Sequence, residues 1–196
     1  MQRFEINKNE NKYSELLSPT FDYDVFIKGE NLSHSHYQPN FSYVVANKQY
    51  IHVNISDEIF TFKSNLKNIA LQIEEAKEIL SYLPNWDDEG AKATDVQTFL
   101  KAVHFLYNYT CFIERNFDVV IRVPYVDILK DGSVYINWEL DTVKFLIVFS
   151  KNNHPLAYFY GERIDKRGNK IPFKSAIELN GEVDEIIAQW MKTYLV

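Results

Sequence analysis

Residues 131 to 149 read DGSVYINWELDTVKFLIVF, and this stretch predicts two antiparallel strands joined edge to edge. Apolar residues at positions 134, 136, 138 and 140 alternate with other residues, and the same period of two resumes at Val143. The preceding turn contains Asp131-Gly132, a dipeptide typical of β-hairpins because both residues tolerate positive φ. The stretch therefore predicts the centre of an antiparallel sheet.

The flanking segments extend this sheet in both directions. The segment VVIRVPYVDIL at 119–129 is interrupted by Pro124, which confines a strand to a sheet edge or a bulge. After the central pair, PLAYFYGERI at 155–164 and KIPFKSAI at 170–177 flank a polar turn, DKRGN. No segment here is long enough for the crossovers of a parallel sheet, so an antiparallel meander is predicted over 119–178.

Helical periodicity appears in three places. Apolar residues from Leu66 to Leu83 recur at spacings of three and four after a predicted Ser64 cap, and Pro84 ends this helix. Thr94 and Gln97 form a predicted capping box for a second helix, and the two helices predict a helical hairpin over 64–116. Asn180 is the predicted cap of a last helix over 181–194.

The N-terminal third has an extended pattern. Three or four strands are predicted between Phe21 and Phe62, with Asn47-Lys48 as a hairpin tip. We therefore predict a single α+β domain over 1–196, with an antiparallel meander sheet and with the helical hairpin and the C-terminal helix packed on one face. Its successive parts are 1–62, 64–116, 119–178 and 181–194.

Composition limits the classes of protein to consider. The chain has 196 residues, of which 46% are hydrophobic and 24% charged, values typical of a globular protein. No apolar run reaches the roughly 18–20 residues of a membrane span, and the first residues do not form a secretory signal. A single cysteine, Cys111, excludes an intramolecular disulfide and favours the cytoplasm. The net charge of −6 makes nucleic acid an unfavoured partner.

Two segments resemble an uncharacterised bacterial family. LPNWDDEGAKATDVQTFLKAVHFL at 83–106 resembles its Trp-Asp-x-x-Gly-Ala linker between two helices, and PYVDILKDGSVYINWEL at 124–140 resembles its Asp-Gly turn and strand ending in Trp138-Glu139. The resemblance covers about residues 70 to 150. It implies a small cytoplasmic protein, often from mobile or defence-associated gene neighbourhoods, and it implies no catalytic residue. The family usually has Gly at the position of Asp88, so a positive φ is less favoured here.

The linker NWDDEGA at 85–91 predicts a structural corner. Trp86 would close the open end of the helix pair, Gly90 would permit the turn, and Ala91 would let backbones approach closely. On this interpretation Trp86→Ala lowers the free energy of unfolding by about 3–5 kcal/mol if the indole is buried. Alanine at Asp87 or Asp88 would lower it only slightly.

The alternative interpretation of the corner is a divalent-cation site formed by Asp87, Asp88 and Glu89. Its spacing lacks the alternating ligands and the distal glutamate of a calcium loop. A wider acidic set, Asp127, Glu139 and Asp141, raises the alternative of a metal-dependent nuclease. Glu139 and Asp141 are expected to share one strand face, and Lys144 is expected to lie off it.

Histidine and cysteine residues offer weaker candidates. His34 and His36 are two residues apart and could face one ion on a strand, but His52, His104 and His154 are scattered. Cys111 follows His104 by seven residues, which corresponds to about 10 Å of helical rise and is too far for a catalytic pair.

A basic cluster at the turn ERIDKRGNKIPFK is the candidate surface for a partner. It contains Arg163, Lys166, Arg167 and Lys170, with Lys174 further along, against the acidic residues Glu162 and Asp165. Such a cluster suits an acidic partner or a phosphate backbone. The alternative is a solvated hairpin tip whose lysines protect a sheet edge from aggregation.

The sequence thus predicts a non-enzymatic protein-interaction module of a bacterial cell, comparable to an antitoxin, an immunity protein or a subunit of a defence complex. We expect no cofactor and no metal, and the expected partner is a protein, with a second copy of the chain as an alternative. Two other functions stay open. One is a divalent-metal hydrolase or nuclease using Asp87, Asp88, Asp127, Glu139 or Asp141, and the other is nucleic-acid binding through the basic hairpin.

Overall fold

The computed structural model describes residues 49–151 and 155–196. All of these residues belong to one compact unit of the chain. Their fold is α+β, as predicted; the single domain over 1–196 stays a prediction. The strands and helices are β1 (Tyr50–Ile55), β2 (Glu58–Lys63), α1 (Lys67–Ala76), α2 (Val96–Phe117), β3 (Tyr125–Ile128), β4 (Val134–Leu140), β5 (Val143–Phe149), β6 (Leu156–Ile164), β7 (Lys170–Glu178) and α3 (Glu185–Tyr194).

The second half of the chain forms the predicted meander. Five antiparallel strands lie in the order β3-β4-β5-β6-β7, so every strand is next to its neighbours in sequence. Strand β3 begins directly after Pro124 and lies at the sheet edge, which is where proline is tolerated. The turn before β4 has Gly132 at φ 86°, and Asp131 accepts a hydrogen bond from the Ser133 backbone N–H at 2.9 Å.

The N-terminal strand prediction is confirmed where the structure describes it. Strands β1 and β2 form a separate two-stranded antiparallel sheet in which Ile55 pairs with Glu58. Ser56 in the intervening turn has φ 51°. The predicted hairpin tip at Asn47-Lys48, and the strands predicted between Phe21 and residue 48, lie outside the described residues.

All three predicted helix caps are wrong. Helix α2 is capped by Asp95, whose side chain accepts from the Thr98 backbone N–H at 2.8 Å, instead of by Thr94. Helix α3 is capped by Asp184, while Asn180 accepts from the Glu182 N–H in the preceding turn. The cap is the residue at which the chain leaves the extended conformation, and several neighbouring polar residues have the required chemistry.

The first helix is also interrupted earlier than the sequence predicts. Residues Ser64–Leu66 form a 3₁₀ turn without a side-chain cap, and α1 ends at Ala76 before a further 3₁₀ segment over Lys77–Ser81. Pro84 therefore lies beyond the helical region and not at its end.

One face of the five-stranded sheet, the inner face, carries the core. Ile73 of α1, together with Phe99 and Val103 of α2, meets Val126 and Ile136 of the sheet. Both helices therefore cover the same face. The β1-β2 sheet packs against both helices, and the rings of Phe60 and Phe62 meet Tyr107 of α2 edge to face.

A row of aromatic residues crosses the inner face beneath α3. Trp138 is 1% exposed, and its indole N–H donates to the Arg122 carbonyl at 2.7 Å. Next along the register come Phe145 and Gly161, and the Phe173 ring lies over Gly161. Trp190 of α3 packs on Phe145 and Phe173, with ring centroids 4.7 and 4.6 Å apart.

A buried carboxylate ties α2 to the end of β2. Glu114 is 7% exposed and accepts two hydrogen bonds from the Lys63 ammonium at 2.8 and 2.9 Å and one from Asn65 at 3.0 Å. The hydrogen bonds from Lys63 first, then Asn65, hold the pKa of the Glu114 carboxyl below its ordinary value. The contact thus stabilises the ionised form of Glu114 in the folded state.

Helix α2 is the longest described helix, with 22 residues. Neither it nor any other described helix combines the length and the apolar character that crossing a membrane requires.

We expect Gly161→Ala to lower the free energy of unfolding by about 1–3 kcal/mol, because the added methyl would occupy the position of the Phe173 ring. Urea unfolding followed by tryptophan fluorescence measures the loss. The matched control is the same substitution in a Phe173→Leu background, where it should cost less. An equal cost in both backgrounds would contradict the steric explanation.

We expect Glu114→Gln to lower the free energy of unfolding at pH 7 by about 1–2 kcal/mol, since half-exposed Lys63 leaves the pair partly screened by water. Because the pKa of Glu114 is lower in the folded state, its contribution is complete above its unfolded value near 4.5 and is lost as the pH falls through the folded value. Urea titrations at pH 7 and in acid test this. A difference between variant and wild type that stays constant with pH would refute the ionic contribution.

Candidate functional site

The segment between α1 and α2 forms a closed turn. The Asn85 N–H donates to the Ala91 carbonyl at 2.6 Å, and the Gly90 N–H donates to the Asn85 side-chain oxygen at 2.7 Å. Asn85, Asp88 and Gly90 have φ values of 68°, 59° and 90°. The backbone of this corner is therefore held by its own hydrogen bonds.

Asp88 adopts the conformation that the sequence disfavoured. Its φ of 59° lies in the left-handed region, which glycine adopts most readily. Aspartate enters this region more readily than most residues because its short side chain hydrogen-bonds locally. Asp88 therefore holds a left-handed position of the turn without being glycine.

The Asp87 side chain accepts hydrogen bonds from the backbone of its own turn. One carboxylate oxygen accepts from the Glu89 and Ala91 N–H groups, both at 2.9 Å, and the side chain is 6% exposed. Burial opposes ionisation, but the hydrogen bonds from Ala91 and Glu89 and the nearby Lys130 ammonium outweigh it and hold the pKa of Asp87 below its ordinary value. We therefore reverse the expectation that losing Asp87 costs little.

A hydrogen bond and ion pairs connect the corner to the turn between β3 and β4. The Lys92 N–H donates to the Lys130 carbonyl at 2.7 Å, and the Lys130 ammonium contacts Glu89 and lies 3.5 Å from the second oxygen of Asp87. A side chain at Gly132 would lie 2.7 Å from the Ala93 carbonyl. The corner between α1 and α2 and the turn that leads into β4 are thus in direct contact.

Trp86 is only partly buried. Its ring packs on Tyr82 with centroids 5.5 Å apart, and its indole N–H is buried without a hydrogen-bond partner among the described residues. Because the indole is only partly buried, we expect Trp86→Ala to lower the free energy of unfolding by less than the roughly 3–5 kcal/mol expected for a fully buried indole. Trp86 therefore contributes an aromatic contact to Tyr82 in addition to covering the core.

The acidic residues proposed for a metal are dispersed. Asp127 lies on β3 opposite Tyr135, Glu139 lies on β4, and Asp141 lies in the turn after β4 ends. Within the described ranges, no three histidine, cysteine or acidic residues are grouped so as to hold a metal ion.

The expected position of Lys144 is wrong. Glu139 and Lys144 are register partners on adjacent strands, and their charged groups are 2.5 Å apart. Asp141 is not on the strand face with Glu139, because β4 ends at Leu140 and the chain turns there. Antiparallel pairing, which is not local in sequence, decides which charges meet.

The histidines and the cysteine have local contacts. His104 Nε2 lies 2.7 Å from a carboxylate oxygen of Glu58, and His52 Nδ1 is 3.0 Å from the Thr61 hydroxyl. His34, His36 and His154 lie outside the described residues. Burial raises the pKa of the Cys111 thiol, which leaves it a poor nucleophile.

The basic cluster lies at a well-defined hairpin tip between β6 and β7. Asp165 accepts hydrogen bonds from the N–H groups of Arg167 at 2.8 Å and Asn169 at 2.9 Å, and Gly168 has φ 82°. The side-chain hydrogen bond from Asn169 first, and then these backbone bonds, hold the pKa of Asp165 below its ordinary value. The carboxylate therefore keeps the tip in one conformation.

The structure divides the basic cluster into two pairs. Lys170 forms an ion pair with Glu162 at 3.1 Å, and the Arg163 guanidinium lies over the Tyr194 ring, 5.8 Å from its centroid. Lys166 and Arg167 are exposed, and no acidic side chain of the described segments forms an ion pair with them. Lys166 and Arg167 are thus the two cations available for a partner at the hairpin tip itself, while exposed Lys174 lies further along on β7.

Sequence reasoning missed a group of tyrosines around Asp127. Tyr125 lies two residues before Asp127 on β3, Tyr135 faces Asp127 across the register, and the charge of Asp127 acts on Tyr82. The alternation of Tyr125 and Asp127 was a visible signal for one shared face. Tyr82 and Tyr135 join them only through the fold.

The comparisons with known proteins supply no relative. No family model matches the chain, and searches of the curated proteins and of the solved structures return no match. Functional inference therefore depends on the geometry of the described residues.

We expect Asp87→Ala to lower the urea midpoint of unfolding several-fold more than Glu89→Ala does. Asp87 satisfies two backbone N–H groups, whereas the Glu89 side chain is 69% exposed and contacts the Lys130 ammonium. Both changes remove one carboxylate, so Glu89→Ala is the matched control. Equal midpoints would show that the hydrogen bonds of Asp87 do not hold the corner.

Proposed function

We propose that this chain is a non-enzymatic protein-interaction module of the bacterial cytoplasm. The observation that carries the proposal is the hairpin tip, which presents Lys166 and Arg167 side by side on a backbone held by Asp165. The family resemblance supports a role comparable to that of an antitoxin, an immunity protein or a defence-complex subunit.

A preformed tip suits recognition of an acidic protein surface. Binding normally costs conformational entropy when a loop becomes ordered, and the hydrogen bonds of Asp165 reduce that cost before binding. Exposed charges at the edge of an interface also increase the rate at which the protein meets a partner surface of opposite charge. Lys166 and Arg167 are therefore well placed to act as contact residues, with Arg163 and Lys170 supporting them.

A protein partner is favoured over nucleic acid by the charge distribution. The chain has a net charge of −6, and two of the four cations of the cluster already contact Glu162 or Tyr194. Nucleic-acid binding depends on neutralising many phosphates with a broad basic surface. Two adjacent free cations instead match a small acidic patch on a protein.

The compartment is inferred from the only cysteine. Cys111 is partly buried in α2 and its pKa is raised by burial, so it is kept as a thiol. A free thiol fits the reducing cytoplasm.

We expect the tagged protein, purified from its native cell, to retain a stoichiometric protein partner that the variant Lys166→Glu/Arg167→Glu retains about tenfold less. Mass spectrometry and light scattering of the purified complex measure identity and stoichiometry. The lysate is treated with nuclease, so that nucleic acid cannot bridge two proteins.

The matched control is Lys67→Glu/Lys92→Glu, which makes the same change in charge at two exposed lysines outside the hairpin. This control should keep the partner. Equal loss in both variants would show that overall charge explains the effect, and recovery of the wild-type protein without a protein partner would refute the proposal.

A further inference from the structure

A second surface lies at the opposite edge of the sheet from β7. We define the tyrosine-carboxylate patch as Tyr82, Tyr125, Asp127 and Tyr135. Strand β3 lies at the edge of the five-stranded sheet formed by the described residues, and Tyr125 and Asp127 lie on the face of the sheet opposite the buried Val126 and Ile128. Tyr125 is 55% exposed, so the patch is accessible at that residue.

Hydrogen bonds fix the Asp127 carboxylate within the patch. The Tyr125 hydroxyl donates to one carboxylate oxygen at 2.6 Å, and the Ile128 backbone N–H donates to the other at 2.8 Å. The rings of Tyr125 and Tyr135 have centroids 6.1 Å apart. The Asp127 carboxylate therefore has a fixed orientation beside the two tyrosine rings.

The tyrosine hydroxyls remain neutral around this charge. Burial is the first cause that raises the pKa of Tyr125, Tyr135 and Tyr82. The next cause is the hydrogen bond to Asp127 at Tyr125, the charge of Asp127 at Tyr135, and the charges of Glu78 and then Asp127 at Tyr82. The patch therefore carries one formal negative charge bordered by aromatic rings, whose faces also have negative electrostatic potential.

Other carboxylates on the same face have cationic partners within the chain. Glu139 pairs with Lys144, and Glu162 pairs with Lys170. In the part of the chain that the structure describes, no lysine, arginine or histidine forms an ion pair with Asp127. Asp127 thus differs from Glu139 and Glu162 in having hydrogen bonds but no counter-charge.

We propose that the tyrosine-carboxylate patch binds a lysine or arginine side chain of a partner protein, an inference that rests on the proposed interaction function. The cation would contact the carboxylate of Asp127 directly and lie against the exposed ring of Tyr125. Charge-assisted hydrogen bonds and cation-π contacts favour the same ligand, and both exclude an anionic one.

The two surfaces of the protein would then have opposite chemistry. The hairpin tip between β6 and β7 offers Lys166 and Arg167, whereas the patch offers Asp127 beside strand β3 at the other edge of the sheet. A partner that carries an acidic patch and a basic segment could contact both. Each contact is separately testable, because no residue belongs to both surfaces.

The test is titration of the full-length protein with a blocked synthetic peptide in which lysine and arginine alternate with glycine and serine. Binding is followed by amide chemical shifts, which should change most from Tyr125 to Ile128. We expect Asp127→Asn to weaken binding about tenfold and Tyr125→Ala to weaken it by a similar factor. A peptide with glutamine in place of every cation should not bind.

Glu139→Gln is the matched control, since it removes one carboxylate from the same face without touching the patch. It should leave the peptide affinity within about twofold of wild type, which is a small free-energy difference. Thermal unfolding of each variant verifies that it is folded. Equal weakening in Asp127→Asn and Glu139→Gln, or absence of peptide binding to the wild type, would overturn the inference.

The outcome also separates this inference from the proposed function. If the native complex depends on Lys166 and Arg167 but Asp127→Asn leaves it and the peptide affinity unchanged, the patch inference fails while the proposed function stands. If the wild-type protein dimerises and Asp127→Asn abolishes the dimer, the occupant is a second copy and the inference as stated is wrong. Peptide binding that Asp127→Asn removes, with no partner retained by the hairpin tip, would support the patch and refute the hairpin as the main contact.

Discussion

Burial of the inner face of the five-stranded sheet is the interaction on which the other described features depend. Phe145 and Ile147 at the centre of β5 are fully buried, and α1, α2 and α3 cover the same face. Apolar burial stabilises by about 25 cal/mol per Å² and is not directional, so orientation comes from packing. Gly161 illustrates the packing, because its missing side chain leaves the space that the Phe173 ring occupies.

Burial of the inner face also determines which face of the sheet carries the polar side chains. Residues alternate along each strand, so burial of Val126 and Ile128 places Tyr125 and Asp127 on the other face. The same alternation places Glu139 and Lys144 together on that face, where they neutralise each other. Because β3 and β7 are opposite edges, the acidic patch and the basic hairpin tip are separated by the width of the sheet.

The corner between α1 and α2 is stabilised by polar contacts instead of apolar burial. Asp87 binds the backbone of its own turn, and Lys92 and Lys130 link that turn to the sheet. One carboxylate oxygen of Asp87 accepts both N–H groups, and the other oxygen lies 3.5 Å from the Lys130 ammonium. The three consecutive acidic residues of the segment therefore have separate roles, since Asp88 takes the left-handed position and Glu89 reaches Lys130.

The sequence alone determined the class of the fold, the strands of the meander and the existence of the three helices, because periods of two and of 3.6 residues are local properties. It also located the basic hairpin, since Asp165 and Gly168 specify a turn within a few residues. Tertiary structure decided the caps at Asp95 and Asp184, the contact of the corner with the β3-β4 turn, and the pairing of Tyr135 with Asp127 across the register of β3 and β4. These features depend on strand register and on chain segments far apart in sequence, and register is set by packing of the whole sheet against its helices.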